Sequence, residues 1–344
     1  MVASAKPSFG AIENVKLHVL KRFGPRTRIM NYLVNLVPLI LQFKRLIRKI
    51  NPDIIHAHYI TDTALLGAAS GFHPFVVSVW GSDVLIAPQK SKVSRWIAKY
   101  VLKRADLITC DAEHIQEPLK QLGADPRKIN LILFGVDIQK FKPGQKNGRL
   151  RKELGILNSP AIISLRHLEP LYDIETLIAS IPLVLEEIPE AKFVLLGKGS
   201  QEVKLKELSK SLGVPDSVRF VGQVPPDEVP QYLTSVDICV STALSDAGPG
   251  GIIEAMACEL PVIITDFGDN RKWVEDGVNG FIIPLRSPQV LASRIVHLMR
   301  NRDLRQKFGK INRQIIVEKN NWEKEMGKME KLYEELIIGF KSRG

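Results

Sequence analysis

The chain has 344 residues, of which 45% are hydrophobic and 25% are charged, and this size is typical of two globular domains. It contains no run of eighteen uninterrupted apolar residues and no signal-peptide pattern, so the sequence predicts a cytoplasmic protein without a membrane-spanning helix. The cysteines, Cys110, Cys239 and Cys258, lie far apart without a C-x-x-C pair, which argues against a zinc site or a disulfide framework and predicts core thiols.

The positive charge is concentrated in the first half of the chain. Residues 1–150 hold 23 Lys and Arg against 10 Asp and Glu, a balance of +13, whereas residues 151–344 hold 25 against 27, a balance of −2. This asymmetry predicts an anionic partner for the N-terminal half: a membrane surface at the inner face of the cell membrane, a lipid-phosphate-linked acceptor, or nucleic acid. Nucleic acid is not expected, because the sequence contains no recognisable nucleic-acid-binding module.

The first half alternates short apolar runs with helical stretches, a pattern typical of a parallel sheet covered on both faces. Residues 1–14 show no periodicity, and the predicted strands are 15–20, 54–58, 75–80, 107–110 and 129–134. A helical region is predicted over 26–50, interrupted at Pro38. Its last turns carry Lys44, Arg45, Arg48 and Lys49 on one face, which is either a solvated face or a membrane-surface helix.

The second half follows a Gly- and Pro-punctuated segment, 135–148, which is predicted to be an interdomain linker. After it, six apolar runs alternate with helices, and they predict a Rossmann-like domain. The predicted strands are 161–166, 192–197, 218–222, 238–243, 261–266 and 280–284. Helices over 288–299, 303–318 and 322–337 close the chain.

The stretch 241–280 carries the strongest functional pattern. A loop with Asp246, Gly248 and Pro249 leads through Gly250 and Gly251 into a short apolar helix predicted over 251–258. Free N–H groups and the positive dipole end at a glycine-rich helix start favour phosphate. Glu254 lies eight positions after Asp246, and carboxylates bind hydroxyls rather than phosphate. The two acids and the helix start therefore predict a nucleotide-sugar site.

This stretch resembles the donor-site signature of family 4 of the retaining glycosyltransferases, E-x7-E followed by A-M-A-x-G-x-P-V-I. Asp246 stands at the first Glu, Glu254 at the second, and Glu259 replaces the usual glycine. The resemblance extends from about residue 15 to the end. It implies the α/β GT-B fold, in which two Rossmann-like domains face each other across a cleft.

The resemblance also implies a division of the chain. Residues 1–144 would form the acceptor-side domain, 145–320 the donor-binding domain, and 321–344 a helix returning toward the first domain. Family members usually begin with a strand, a glycine-rich loop and a helix. This sequence starts near what resembles the third strand, so the first domain is expected to be incomplete by about one βαβ unit, which leaves the activity of the chain open.

By resemblance, Asp246 and Arg166 carry the catalytic roles without a metal or other cofactor. Arg166 and the helix amides would stabilise the leaving phosphate. Family members have a Lys a few residues after this Arg, and the two cations together would contact the leaving phosphate. No Lys follows at that spacing here, so either Tyr172 or another residue takes its place or one of the two cations is absent. No enzyme nucleophile is expected, because the leaving phosphate would take the acceptor's proton.

The remaining donor contacts are also expected by resemblance. Glu254 would bind the ribose, and Asp246 would hold the donor sugar. The loop backbone from Ala247 through Gly248, Pro249, Gly250 and Gly251 would contribute amides, and the loops around Gly199 and Val224 would edge the base.

On the acceptor side, the sequence from Trp80 through Gly81 to Asp83 resembles the strand-end H-G-x-D of the family, with Trp80 at a position where histidine is common. His56 and His58 lie on or beside the preceding strand. They either approach the cleft or are packing histidines with satisfied hydrogen bonds.

These features favour a retaining glycosyltransferase that moves a sugar from a nucleotide-sugar donor to a glycan or lipid-linked acceptor. A non-catalytic sugar-nucleotide or polyanion-binding protein on a degenerate scaffold is the alternative, favoured by the absent unit, the absent Lys and Trp80. An epimerase or hydrolase of the same architecture fits the acid spacing less well.

Overall fold

The computed structural model describes residues 2–3, 16, 18–20, 29–133, 135–245 and 250–342. Its contacts divide the chain into two compact units. Unit 1 comprises Met1–Ile132 with Met329–Gly344, and unit 2 comprises Leu133–Lys328. The boundary predicted at residue 144 lies inside unit 2. Among the described residues, no helix has both the length and the apolar character needed to cross a bilayer.

The elements up to residue 132 alternate between strands and helices. In chain order they are β1 (Val2–Ala3), β2 (His18–Val19), α1 (Ile29–Ile50), β3 (Ile55–His58), α2 (Asp62–Ser70), β4 (Phe75–Ser78), α3 (Ser82–Leu85), α4 (Ala87–Lys90), α5 (Lys92–Arg104), β5 (Leu107–Cys110), α6 (Gln116–Gln121) and β6 (Ile129–Leu131). Short 3₁₀ turns cover Glu113–Ile115 and Pro126–Lys128.

The rest of the chain repeats this alternation and ends in three long helices. In chain order the elements are α7 (Gly148–Glu153), β7 (Ala161–Ser164), α8 (Ile174–Glu187), β8 (Lys192–Leu196), α9 (Glu202–Ser211), β9 (Val218–Gly222), α10 (Val229–Thr234), β10 (Ile238–Ser241), α11 (Gly250–Ala257), β11 (Val262–Thr265), α12 (Asn270–Trp273), β12 (Gly280–Ile283), α13 (Pro288–Arg300), α14 (Arg302–Lys319) and α15 (Trp322–Lys341). Further 3₁₀ turns cover Pro170–Tyr172 and Pro215–Ser217.

The start of the chain differs from the sequence pattern in two respects. Val2–Ala3 forms a strand that pairs in parallel with His18–Val19, although no periodicity marked residues 1–14. Helix α1 also continues through Pro38 instead of breaking there. A helix can continue through proline at the loss of one hydrogen bond when packing holds both halves. Leu36 before the proline and Leu39 and Phe43 after it provide such packing, since they belong to one apolar cluster with Leu66 of α2.

Unit 1 contains a four-stranded parallel sheet with strand order β3-β4-β5-β6. Helix α2 packs against both α1 and α5. A second apolar cluster joins Val76 and Leu107 of the sheet to Met329 of α15. The last turns of the chain therefore complete the core of unit 1. Helix α15 itself passes from unit 2 into unit 1 between Lys328 and Met329.

Unit 2 contains a six-stranded parallel sheet with strand order β12-β11-β10-β7-β8-β9. Read from β9, this is the 3-2-1-4-5-6 order of the doubly wound Rossmann fold. Successive strands are added on one side of β7 up to β9 and on its other side from β10 onward, so the strand order reverses between β7 and β10. Consecutive residues of β7 belong to different cores, with Ile162 in one cluster and Ile163 in the other. Both faces of the sheet are covered, which explains why its strands are continuous apolar runs.

The segment predicted as a linker is a packed part of unit 2. Val136 pairs with Asn321 through a β-bridge, and Phe141 is buried. The guanidinium of Arg313 donates hydrogen bonds to the carbonyl oxygens of Ile138 and Phe141 at 2.9 and 2.6 Å. The Gly and Pro content indicates a segment without regular secondary structure. Buried contacts nevertheless hold this segment in place within unit 2. The three cysteines are buried and none of them forms a disulfide, which confirms the prediction of core thiols.

Candidate functional site

The reversal of strand order in unit 2 places two polar residues side by side. Arg166 comes just after β7, and Ser241 ends β10. The Nε atom of Arg166 donates a hydrogen bond to Oγ of Ser241 at 3.0 Å. Ligands of open α/β sheets bind outside the carboxyl ends of the strands at such a reversal. Arg166 therefore stands where the fold itself predicts a ligand.

Helix α11 starts at the same edge. A Cβ atom added to Gly251 would lie only 3.0 Å from Cβ of Leu165, so this glycine lets the helix start approach the end of β7. A Cβ atom added to Gly250 would meet no described atom within 4 Å. The first N–H groups of a helix have no partner within the helix. The start of α11 can therefore serve an anion next to Arg166.

Glu254 lies one turn into α11 and is half-buried. Burial raises the pKa of its carboxyl group to about 7, while the positive charges of Lys140 and Arg166 act in the opposite direction. The carboxyl group makes no hydrogen bond to a described residue. It is thus a desolvated acceptor close to two cations, which suits hydrogen bonds from ligand hydroxyls.

Two residues near this acid bear on the missing lysine of the family pattern. The guanidinium carbon of Arg166 lies 5.5 Å from the ring centre of Tyr172, so Tyr172 flanks the cation without adding a charge. Lys140 supplies the second positive charge that acts on Glu254, and its Nζ lies 2.6 Å from Oδ1 of Asp227. Sequence reasoning assigned Lys140 to the linker and missed it. Its position in the sequence, three residues after Asp137, matches no motif that would have identified it as a site residue.

The loops predicted to edge the base lie at the carboxyl ends of β8 and β9. A Cβ atom added to Gly199 would lie 2.2 Å from the carbonyl oxygen of Leu168, and one added to Gly197 would lie 2.4 Å from that of Arg166. Only glycine permits these approaches. Val224 follows β9 and packs against the core of unit 2 with partial exposure. The loop after β8 thus packs closely against the backbone of Arg166 and Leu168.

Four of the predicted site residues, Asp246, Ala247, Gly248 and Pro249, lie outside the described residues. The roles expected for them, including the catalytic role of Asp246, stay predictions. Across the described parts of the chain, no group of three or more His, Cys, Asp or Glu side chains is arranged to hold a metal ion.

The acceptor-side candidates of unit 1 form one cluster at the ends of β3 and β4. The indole Nε1 of Trp80 donates to Nδ1 of His58 at 3.3 Å. Asp83 is buried and accepts hydrogen bonds from the backbone N–H groups of Trp80 and Ile60 at 3.0 and 2.9 Å. Burial raises the pKa of Asp83, and these hydrogen bonds act on the pKa in the opposite direction. Gly81 precedes α3 with a φ of 92°, which favours glycine.

His56 lies next to this cluster, with its ring centre 4.3 Å from that of His58, and forms a polar chain of its own. Its Nε2 lies 2.7 Å from Oγ of Ser78, and its Nδ1 lies 2.5 Å from the hydroxyl oxygen of Tyr333 in α15. Burial, with a contribution from His58, lowers the pKa of His56 to about 3, so the ring is neutral. A neutral imidazole has one donor and one acceptor, and both are used here. In unit 1, His56 is a packing histidine.

The comparisons with known proteins agree with these two units. A family model described as "Glycosyl transferases group 1" matches residues 147–315, and one described as "Glycosyl transferase 4-like" matches residues 4–112. An Escherichia coli relative named UDP-Gal:alpha-D-GlcNAc-diphosphoundecaprenol alpha-1,3-galactosyltransferase is 26% identical, over 87% of this chain and 79% of the relative.

Two solved structures share the fold. Anabaena HepE, crystallised with UDP and glucose, superposes with a TM-score of 0.81 at 22% identity, covering 93% of this chain and 86% of HepE. Sucrose-phosphate synthase from Thermosynechococcus elongatus gives a TM-score of 0.81 at 21% identity, covering 98% of this chain and 88% of the synthase. The two Rossmann-like units are those of the GT-B fold.

Proposed function

Because this chain belongs to the group 1 glycosyltransferases, the family 4 type with the GT-B fold, we propose that it is a retaining hexosyltransferase that uses a nucleotide-sugar donor. The acceptor is a glycan or a lipid-linked sugar, in cell-surface polysaccharide or glycolipid synthesis. The name of the Escherichia coli relative, which specifies a diphosphoundecaprenol-linked acceptor, supports the lipid-linked class.

One observation carries the donor assignment. Arg166, the start of α11 and Glu254 converge at the strand-order reversal of unit 2, where the hydrogen bond to Ser241 holds the arginine. The cation and the helix amides suit a diphosphate, and the desolvated carboxylate suits a ribose. The crystals of HepE with UDP and with UDP-glucose support this class of ligand for the fold.

In the proposed mechanism, negative charge grows on the leaving phosphate as the bond to the sugar anomeric carbon breaks. Arg166 and the first N–H groups of α11 stabilise that charge without a metal. The leaving phosphate oxygen takes the proton of the acceptor hydroxyl, which attacks from the same face. Asp246 is assigned to the hydroxyls of the transferred sugar. No protein side chain forms a covalent intermediate.

The acceptor side is assigned to the cluster of His58, Trp80, Gly81 and Asp83 in unit 1. Trp80 occupies the position where the family often has a histidine, but it donates to His58, so an imidazole remains in the cluster. His58 is exposed, whereas the ring of His56 is engaged on both nitrogens. His58 is therefore the imidazole assigned to acceptor contacts.

The proposed function is tested by incubating the purified chain with UDP- and GDP-sugars, with and without a short-chain polyprenyl-diphosphate sugar. Release of nucleoside diphosphate and a glycosylated product with the donor's anomeric configuration are expected. NMR spectroscopy of the product identifies the anomer. A product of inverted configuration would contradict the retaining assignment. Binding of a sugar nucleotide without release or transfer would favour the non-catalytic scaffold instead.

A further inference from the structure

Helix α5 carries an exposed face that neither the sequence pattern nor the proposed sugar site uses. Ile97, Ala98, Val101 and Leu102 are buried and anchor the helix in unit 1. On the opposite side, Trp96 is 62% exposed and Val93, one turn earlier, is 60% exposed. Large apolar side chains held outward on a fixed helix in this way mark an interaction surface.

The same face is strongly basic. Lys92, Lys99 and Lys103 lie three, four or seven positions from Trp96 and are exposed beside it. With Arg95 and Arg104 the helix carries five cations and no acid. Within the part of the chain that the structure describes, none of the five forms an ion pair. Their charge is therefore available to an anionic partner.

Helix α1, which packs against the same helix α2 as α5 does, repeats this combination. Val37 and Leu41, four residues apart, are 61% and 51% exposed. Arg45 and Arg48 follow on the exposed surface, and α1 also contains no acid. Helix α2 packs between α1 and α5 as a shared neighbour. Exposed apolar side chains beside exposed cations thus occur on two helices of unit 1, α5 and α1.

We propose that the outer face of α5 binds an anionic lipid surface, with Trp96 as the anchor at the boundary between headgroups and acyl chains and α1 as a second contact. Tryptophan favours this boundary, and lysine side chains beside it extend their ammonium groups to phosphate while their stems pack on apolar surface. The inference rests on the proposed function in one respect, since a lipid-linked acceptor is held in such a surface.

The geometry favours lipid over nucleic acid. The rings of Trp96 and Tyr100 stack on each other with centres 5.6 Å apart and planes within 11°, so one face of each ring is already covered. Base stacking needs open ring faces. Val93 adds an aliphatic contact, which has no role in the stacking of a nucleic-acid base. An aromatic edge, an aliphatic neighbour and flanking lysines match an interfacial helix better.

The test compares binding of the full chain to vesicles of phosphatidylcholine alone and of phosphatidylcholine with phosphatidylglycerol. Binding is expected to require the anionic lipid and to weaken with salt. Replacing Lys92, Lys99 and Lys103 with Gln should weaken binding by roughly a hundredfold, since each lysine near such a surface contributes about fivefold. The matched control replaces Arg302, Lys307 and Lys310, exposed on α14 of unit 2, and should bind like the unchanged chain.

The role of Trp96 is tested separately. Trp96→Ala should weaken binding by roughly tenfold at unchanged net charge. Quenching of tryptophan fluorescence by brominated lipid should be lost in Trp96→Phe and kept in Trp322→Phe. Nucleoside diphosphate binding should be unchanged in all these variants, so failure of the sugar site and failure of the lipid surface are distinguishable.

Several results would overturn the inference. These are equal binding to both vesicle types, no effect of Trp96→Ala, or equal losses in the α5 and α14 variants. Tighter salt-sensitive binding to single-stranded nucleic acid than to anionic vesicles would replace lipid with nucleic acid. Self-association abolished by Trp96→Ala, without vesicle binding, would assign the face to a second copy of the chain.

Discussion

The two units use the carboxyl ends of their parallel strands differently. In unit 2 these ends carry a cation held by Ser241 and a desolvated carboxyl group, Arg166 and Glu254. In unit 1 they carry an aromatic and imidazole cluster, and the buried acid Asp83 accepts hydrogen bonds from backbone N–H groups. Among the described residues of unit 1, the five cations of α5 are exposed and form no ion pair. The same strand-helix architecture thus carries an arginine and a desolvated acid in one unit, and an aromatic and imidazole cluster with a basic exterior in the other.

The comparison predicts the largest effect for the cation of unit 2. Arg166→Ala should lower turnover by about 100- to 1,000-fold, as loss of a charge-stabilising donor does in other enzymes. Initial rates of nucleoside diphosphate release measure it. Arg149→Ala, which removes an exposed arginine paired with Glu153 on α7, is the control and should leave the rate almost unchanged. Similar rates in both variants would remove Arg166 from the chemistry.

A second prediction concerns the free energy of unfolding. The folded-state pKa of Glu254 is raised from 4.5 to about 7, so the stability contribution of the protonated group is present below pH 4.5 and is lost as the pH rises through 7. Glu254→Gln should therefore stabilise the ligand-free chain at pH 8, by up to about 3 kcal/mol. The difference should vanish as the pH falls toward 4.5.

Urea unfolding of both proteins across this pH range measures the effect. Glu207→Gln, an exposed change on α9, should show no such pH dependence. A Glu254→Gln variant with the same stability difference at every pH would contradict the burial of an ionisable group at this position.

A smaller effect is expected for the polar chain of unit 1. Tyr333→Phe removes the hydroxyl group next to Nδ1 of His56 and should lower stability by about 1 kcal/mol. Because His56 is neutral with a pKa of about 3, the loss should be the same from pH 5 to pH 8. Tyr100→Phe, whose hydroxyl group has no partner among the described residues, is the control. A loss confined to low pH would mean that His56 is protonated in the folded state.

The smallest effect is expected for metal removal. Turnover and ligand binding should survive EDTA, because the proposed diphosphate contacts are Arg166 and backbone N–H groups. Activity assays before and after chelation measure this. Complete loss of turnover that Mg²⁺ or Mn²⁺ restores would mean that the diphosphate contacts are wrongly assigned.

How much the sequence predicts also differs between the units. All six predicted strands of unit 2 are present, because strands buried on both faces are continuous apolar runs. Strand β1 was missed since two residues carry no periodicity. The contact of His56 with Tyr333 joins positions 277 residues apart, which local patterns cannot encode. Trp96 has an ordinary amphipathic context in the sequence, and only the structure shows which side of α5 is covered.

The central claim is that unit 2 alone provides the side chains that bind the nucleotide. Calorimetric titration of UDP and GDP tests it most directly, with the unchanged chain, Glu254→Ala, Asp246→Ala and Trp80→Phe. Loss of the ribose acceptor in Glu254→Ala should weaken the nucleotide that binds by about ten- to a hundredfold. Asp246→Ala and Trp80→Phe should bind it almost as the unchanged chain does. An equal loss in Trp80→Phe, or no loss in Glu254→Ala, would contradict the claim.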